Sequence, residues 1–235
     1  MLLENISKLD SKKDKKDISQ VKESFKNLRA NLMFAMAGKK EKSKIILVTS
    51  GEPGEGKSTI CVNLASSYAD TNARVLVIDA DLRKPKIDKY VCADKKCCGL
   101  SDYLGGFSTL EEIIVRPEGL NFDCIFSGRI PPNPSELLMI DEVENMFNLL
   151  AEKYDYIFID TPPVGLVSET IYLTKFVTGV VFVVKKGKTH LHTTKEAISL
   201  LKFAQANILG FVINNAYDIN AGKYYYRRKK YYYYE

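Results

Sequence analysis

Nine consecutive residues, Gly51, Glu52, Pro53, Gly54, Glu55, Gly56, Lys57, Ser58 and Thr59, carry the strongest chemical signal in the chain. They fit the GxxxxGK[ST] phosphate loop, with an apolar run before them and a helical pattern after. The glycines let successive backbone N–H groups converge on phosphate oxygens, and the helix N-terminus adds partial positive charge. Lys57 is expected to reach the β- and γ-phosphates of ATP, and the Ser58 hydroxyl to ligate Mg2+. That flanking context argues against an incidental glycine turn.

Two acidic strand ends belong to the same chemistry. Val75–Asp79 runs into Ala80, Asp81, Leu82 and Arg83, and Tyr156–Asp160 runs into Thr161-Pro162-Pro163. In parallel sheets a ligand lies beyond the carboxyl ends of the strands, so Asp79, Asp81 and Asp160 are expected to face the same phosphates. One such carboxylate then helps to hold Mg2+. The alternative for each is an exposed loop acid. It fits Asp160 poorly, because four apolar strand residues lead into it.

A third cluster sits at the C-terminus. Tyr224, Tyr225, Tyr226, Tyr231, Tyr232, Tyr233 and Tyr234 are half of the 14 tyrosines in the chain. Arg227, Arg228, Lys229 and Lys230 between them forbid burial of the segment as core. These residues and Lys223 give the last 14 residues a charge of +4, against +5 for the whole chain. The rest is therefore nearly neutral. Seven phosphates at about −1.5 to −2 each would reverse the tail to strongly acidic. Two readings of the tail alone stay open: a phosphorylation substrate, or an aromatic-basic tether for anionic lipid or nucleic acid.

The elements that must position these groups follow from periodicity. Strands are expected at Ile45–Thr49, Arg74–Asp79, Phe122–Phe126, Tyr156–Asp160, Val180–Val184 and Leu209–Asn214. Helices are expected at Lys57–Asp70, 135–152 and 192–206. Alternation of doubly apolar strands with helices predicts an α/β P-loop NTPase fold, a mostly parallel central sheet flanked by helices on both faces. The Pro-rich segment Ile130–Pro134 reads as a rigid connector, with Asn133 or Ser135 capping the next helix. Before the first strand, a helix from Ile18 to about Ala37 carries one apolar stripe: Val21, Phe25, Leu28, Leu32 and Met36. Glu23, Lys26 and Arg29 climb its flank as a charged ridge turned away from that stripe.

The domain organisation expected is a polar segment and helix at 1–43, a P-loop domain at 44–216 and a flexible tail at 217–235. No apolar run approaches the roughly 18 residues that span a bilayer, and the charged N-terminus does not fit a signal peptide. A cytoplasmic protein is expected. Cys61, Cys92, Cys97, Cys98 and Cys124 lack a repeated CxxC spacing, so reduced thiols are expected rather than a zinc site. His190 and His192 read as surface residues near a helix start.

Taken together, the motifs resemble the bacterial tyrosine kinases that regulate capsule and exopolysaccharide export. The resemblance rests on GEPGEGKST, VLVIDADLRKP (75–85), FIDTPP (158–163), SGRIPPNPSELL (127–138), the N-terminal ExxKxxR helix and the tyrosine tail. It implies an ATP- and Mg2+-dependent protein-tyrosine kinase that autophosphorylates its tail tyrosines. Asp81 and Asp160 would organise magnesium, Asp79 would accept the tyrosine proton, and Asn214 would contact adenine. It also implies a ring-forming homo-oligomer with Glu23, Lys26 and Arg29 at the subunit contact, and Lys26 stands where the family pattern has Arg. A membrane adaptor would recruit the chain to the inner face of the plasma membrane and activate it. A phosphotyrosine phosphatase would oppose it, and no nucleic-acid partner is expected. The competing readings are a partitioning or positioning ATPase that acts as a nucleotide switch, and a regulator that merely binds ATP.

Overall fold

The apolar strands and amphipathic helices of the computed structural model build one seven-stranded sheet with helices on both faces. The structure describes residues 12–91 and 98–216. In chain order the elements are α1 (Lys12–Ala35), β1 (Lys44–Ser50), α2 (Lys57–Ala69), β2 (Val75–Asp79), α3 (Ile87–Val91), α4 (Leu100–Leu104), α5 (Leu110–Ile113) and β3 (Ile114–Val115). They continue with β4 (Asp123–Ile125), α6 (Pro134–Leu137), α7 (Glu142–Lys153), β5 (Tyr156–Asp160), α8 (Ser168–Leu173), β6 (Gly179–Lys185), α9 (Leu191–Phe203) and β7 (Ile208–Asn214).

The strand order is β3-β4-β2-β5-β1-β6-β7. All neighbours run parallel except β3, which pairs antiparallel with β4 at the edge. Every residue of β2 is buried, as is all of β1 after Lys44. This is the signature of a sheet covered on both sides. Side-chain alternation splits the core in two. Ile46, Val48, Val75, Val77 and Phe158 pack with Leu64 and Tyr68 of α2 and with Leu32 and Met36 of the N-terminal helix region. Leu47, Leu76, Ile78, Ile157 and Ile159 face the other way, onto Phe147 and Leu150 of α7 and Leu201 of α9.

Several expectations needed correction. Helix α1 is already formed at Lys12, the first described residue, ahead of the expected Ile18. Lysine, four of the six residues at 12–17, is a good helix former, so the apolar stripe marks where the helix docks and not where it starts. The stripe itself docks progressively: Val21 is exposed, Phe25 and Leu28 half-buried, Leu32 and Met36 buried. The stretch 135–152 is two helices, α6 and α7, because Leu138 to Asp141 turn between them. The N-cap residue Asn133 makes no side-chain cap bond, and Ser135 bonds elsewhere, as described below.

Arg29 also departs from expectation. It leaves the exposed ridge and donates to the carbonyl and hydroxyl oxygens of Ser67 on α2, while Tyr68 Oη donates to the Arg29 carbonyl. Glu23 and Lys26 alone stay on the outer face, as an exposed i,i+3 pair at 4.0 Å. The tail 217–235 and the cysteines Cys92 and Cys97 lie outside the described residues. Among the described residues Cys61 and Cys124 are buried thiols, Cys98 is an exposed one, and no group of His, Cys, Asp and Glu forms a metal site by itself.

Candidate active site

The phosphate loop lies at the carboxyl end of β1, as the spacing predicts. Gly54 and Gly56 take left-handed backbone angles, φ +77° and +98°. A Cβ on Gly56 would fall 2.0 Å from Asn214 Nδ2, so glycine is required there by both conformation and space. Gly56 opens α2, whose free N-terminal amides point into the loop. Lys57 and Ser58 follow in its first turn, both almost fully buried.

A second loop braces the first. Lys188 Nζ donates to the Pro53 carbonyl at 2.8 Å, the Thr189 hydroxyl donates to Glu55 Oε1, and His190 Nδ1 meets Glu52 Oε1 at 2.8 Å. Asn214 Nδ2 donates to the Glu55 carbonyl at 2.8 Å. The Glu55 carboxylate, wholly buried, also accepts from the Glu52 amide. Glu52 and Glu55 therefore shape the loop with their side chains instead of turning them toward phosphate. The hydrogen bond from His190 chiefly holds the Glu52 carboxyl below its usual range. Thr59 Oγ1 lies 3.1 Å from Tyr90 Oη. None of Lys188, Thr189, His190 or Tyr90 stood out as a site residue in the sequence. Their contacts to the loop span 31 to 138 residues, and no local spacing announces them.

The three acids come together at the ends of β2 and β5. Asp79 and Asp160 are register partners on adjacent strands. Asp160 Oδ2 accepts from the Ser58 hydroxyl, and its Oδ1 is buried without a hydrogen-bond partner. Asp79 accepts three backbone amides: Asp81 N–H on Oδ1, and Lys86 and Ile87 N–H on Oδ2. It thereby ties down the acidic loop and the start of α3. Asp81 is the more accessible acid, with Oδ1 receiving the Lys84 amide.

Burial raises both Asp79 and Asp160 above the ordinary carboxylate range, and each is pushed further by neighbouring acid charge. Burial lowers the Lys57 ammonium, against the pull of Asp160 and Asp81. This is a site built for a charge it does not itself contain. The donor set fits Mg2+: a hydroxyl, a carboxylate oxygen lacking any partner and a second carboxylate close by, all hard oxygen ligands.

The segments 75–85 and 127–138 also meet. Arg83 Nε donates to Glu169 Oε1 at 3.0 Å and its Nη2 to Ser135 Oγ at 2.9 Å, while Ser135 Oγ donates to Glu169 Oε2 at 2.7 Å. Nearby, buried Asp102 binds Arg129 and the Gly99 amide, fixing the start of the 127–138 segment. On the other side of the phosphate loop, a groove of about 580 Å³ runs between α1 and β7. Ile60, Phe25, Leu28 and Val212 line it, with the amides of Asn27, Asn31, Asn214 and Asn215.

Comparison with known proteins agrees with this geometry. Residues 43–183 match the AAA domain family. The tyrosine-protein kinase YwqD of Bacillus subtilis is 34% identical over 82% of this chain and 80% of its own length. Our chain belongs to the bacterial tyrosine kinases. Among solved structures, the chimerical protein CapA2B2 is 36% identical with a TM-score of 0.77, covering 83% of this chain and 85% of that one. The kinase domain of Escherichia coli tyrosine kinase ETK is 31% identical with a TM-score of 0.79, over 84% of this chain and 76% of that one. This kinase spans only 27% of a longer relative, tyrosine-protein kinase ptk of Acinetobacter johnsonii, 34% identical over 85% of our chain.

The septum site-determining protein MinD of Pyrococcus horikoshii, complexed with Mg-ADP, is more distant. It is 26% identical with a TM-score of 0.64, covering 74% of this chain and 71% of that one. The nucleotide-switch reading thus has weaker relatives than the kinase reading. Among the described residues of the kinase, no helix is long and apolar enough to cross a membrane.

Proposed function

We propose that this kinase transfers the γ-phosphoryl group of ATP to the tyrosines of its own C-terminal tail, Tyr224 to Tyr226 and Tyr231 to Tyr234, acting between subunits. The observation that carries the ATP site is the convergence of Ser58, Asp160 and Lys57. A buried carboxylate oxygen lacks a partner there, beside a phosphate loop in which Gly54 and Gly56 hold left-handed backbone angles.

In this reading the amides of the loop and Lys57 hold the β- and γ-phosphates, while Ser58, Asp160 and Asp81 hold Mg2+. Bound there, the ion neutralises charge on the phosphates. The α1–β7 groove takes the adenine, with Asn214 and its amide neighbours at the base edge. Asp79 accepts the phenolic proton. Burial strengthens its proton affinity, and Oδ1 accepts one hydrogen bond, from the Asp81 amide, where Oδ2 accepts two. The phenolate oxygen bonds to the γ-phosphorus as the bond to the β–γ bridging oxygen breaks, and ADP leaves. Positioning and charge neutralisation account for most of such a step.

The tail continues from Ala216, at the end of the groove, and its phosphorylation would turn a basic segment acidic. A homo-oligomeric ring would present one tail to the next active site, with exposed Glu23 and Lys26 at the contact. Arg29 is engaged within its own subunit. The family resemblance supports the remaining parts: a membrane adaptor that activates the kinase at the inner face of the plasma membrane, an opposing phosphotyrosine phosphatase, and control of capsule or exopolysaccharide synthesis.

The test is intact mass after incubation with Mg-ATP and the activating adaptor segment. Up to seven additions of phosphate are expected on the full chain and none on Lys57→Met. An active chain truncated after Ala216 should phosphorylate full-length Lys57→Met if transfer runs between subunits. Nucleotide consumed with every tail tyrosine unmodified would replace the kinase reading with an ATPase switch.

A further inference from the structure

Asp81 sits on a short span that is pinned at both ends. Upstream, the Ala80 amide donates to the Asp160 carbonyl at 2.9 Å, the last rung between β2 and β5. Beyond it the two chain segments diverge, one into the acidic loop and the other into Thr161-Pro162-Pro163. Three residues after Ala80 they are joined again, through the side chains of Arg83 and Glu169.

Glu169 is suited to be the fixed point of this second junction. It lies in the first turn of α8, where the helix dipole favours an anion, and it is 1% exposed. Its helix is anchored to the strand end, because the neighbouring Thr170 hydroxyl donates to the Pro162 carbonyl at 3.1 Å. The Thr49 hydroxyl at the end of β1 donates to that same carbonyl at 2.9 Å. The two carboxylate oxygens of Glu169 are divided between Arg83 and Ser135, and Arg83 also grips Ser135. Three segments distant in sequence thus close a ring of hydrogen bonds. The carboxylate of this ion pair is buried while the Arg83 side chain is exposed, so the pair contributes modest net stability; its gain lies in geometry.

We propose that Glu169 is a positioning residue for phosphoryl transfer, acting through Arg83 and Ser135 to set the loop of Asp81 against the strand end of Asp160. It rests on the phosphotransfer reading above. Glu169 need not touch ATP or the tyrosine. Its work is to keep the Asp81 carboxylate at the separation from Asp160 that a shared divalent ion requires. Misplacement by about 1 Å can cost on the order of 100-fold in rate.

The test uses the full chain with Mg-ATP and the activating adaptor segment. Glu169→Gln keeps the shape and the bond from Ser135 but weakens the grip on Arg83. We expect kcat to fall about 10- to 100-fold, with the affinity for mant-ADP in EDTA within about twofold of wild type. The Mg2+ concentration for half-maximal rate should rise. Ser135→Ala should move the same quantities in the same direction by a smaller factor, and it provides the measurement if Glu169→Gln folds poorly. The double variant Arg83→Ala/Glu169→Gln should be no slower than Arg83→Ala alone, because both act through one junction.

Wild-type kcat and Mg2+ dependence in folded Glu169→Gln and Ser135→Ala would overturn the proposal. So would additive losses in the double variant, or a loss of kcat matched by loss of folded protein on thermal melting. A wild-type chain that never modifies tyrosine would instead overturn the phosphotransfer reading itself.

Discussion

The Ser58 hydroxyl donates to Asp160 Oδ2 at 2.5 Å, joining two residues 102 positions apart across the end of the sheet. Nothing else meets the second oxygen of that carboxylate. A buried acid with half its acceptor capacity unused costs stability by itself, and a cation bound there would supply the missing partner. Asp160→Asn should therefore abolish tyrosine phosphorylation, by about 100-fold or more, and remove the Mg2+ dependence of nucleotide binding. Without ligand it should raise the melting temperature by a few degrees, about 1 kcal/mol for a domain of this size. A lower melting temperature together with intact Mg2+-dependent binding would remove Asp160 from the metal site.

The pH dependence of the unliganded protein follows from the same burial. Asp79 and Asp160 hold their protons more tightly folded than unfolded. The folded state therefore binds more protons, and their contribution to stability falls as pH rises from about 4 through neutrality. Urea midpoints between pH 5.5 and 8 should decline more steeply in the wild type than in Asp79→Asn/Asp160→Asn. Saturating Mg-ADP should flatten the wild-type slope, because the ion compensates the ionised form.

Gly56→Ala is the sharpest test of the phosphate loop. The new methyl would combine a left-handed backbone with a clash at Asn214, which also braces the Glu55 carbonyl. A loss of roughly 1–3 kcal/mol is expected from strain of this kind, and mant-ADP affinity should fall with it. Lys57→Met should differ: the melt should be unchanged or raised, because burial already disfavours the ammonium, while phosphotransfer disappears.

Arg29 and Lys26 separate folding from assembly. Arg29→Ala removes the bonds to Ser67 and should destabilise the chain by about 1–2 kcal/mol in urea titration. Lys26→Glu touches only an exposed pair, so the stability of a single subunit should change by less than about 0.5 kcal/mol. Light scattering should nevertheless show a smaller assembly for Lys26→Glu than for wild type. Equal size would dismiss the α1 ridge as a subunit contact.

What could be read from the sequence was local. The phosphate loop, the acids after β2 and β5 and the parallel alternating fold all follow from spacing within about a dozen residues. The antiparallel strand β3 escaped because Ile114–Val115 is too short to show a period. The short helices α3, α4 and α8 escaped for the same reason. Arg29 was misplaced because helical phase says which residues share a face, and not how far a long side chain will turn to find a carbonyl. Asp79 resembled a reactive acid, and no pattern in the sequence shows that it also ties down the Asp81, Lys86 and Ile87 amides. The Arg83, Ser135 and Glu169 ring bridges 34 to 86 residues, and only packing brings its members together.

The strand order has a consequence for how the molecule is made. β5 lies between β1 and β2, yet it is synthesised long after both. A ribosome that has delivered the first two central strands must still emit some 80 residues before their common neighbour exists. Until then two greasy ribbons wait without a hydrogen-bonding partner between them, exposed to misassembly and in need of shelter. When Tyr156–Asp160 slots home, it zips both sides at once and sets Asp160 beside Asp79 in the same event. A nascent fragment ending before residue 160 should therefore lack both the joined central strands and the competence to hold nucleotide.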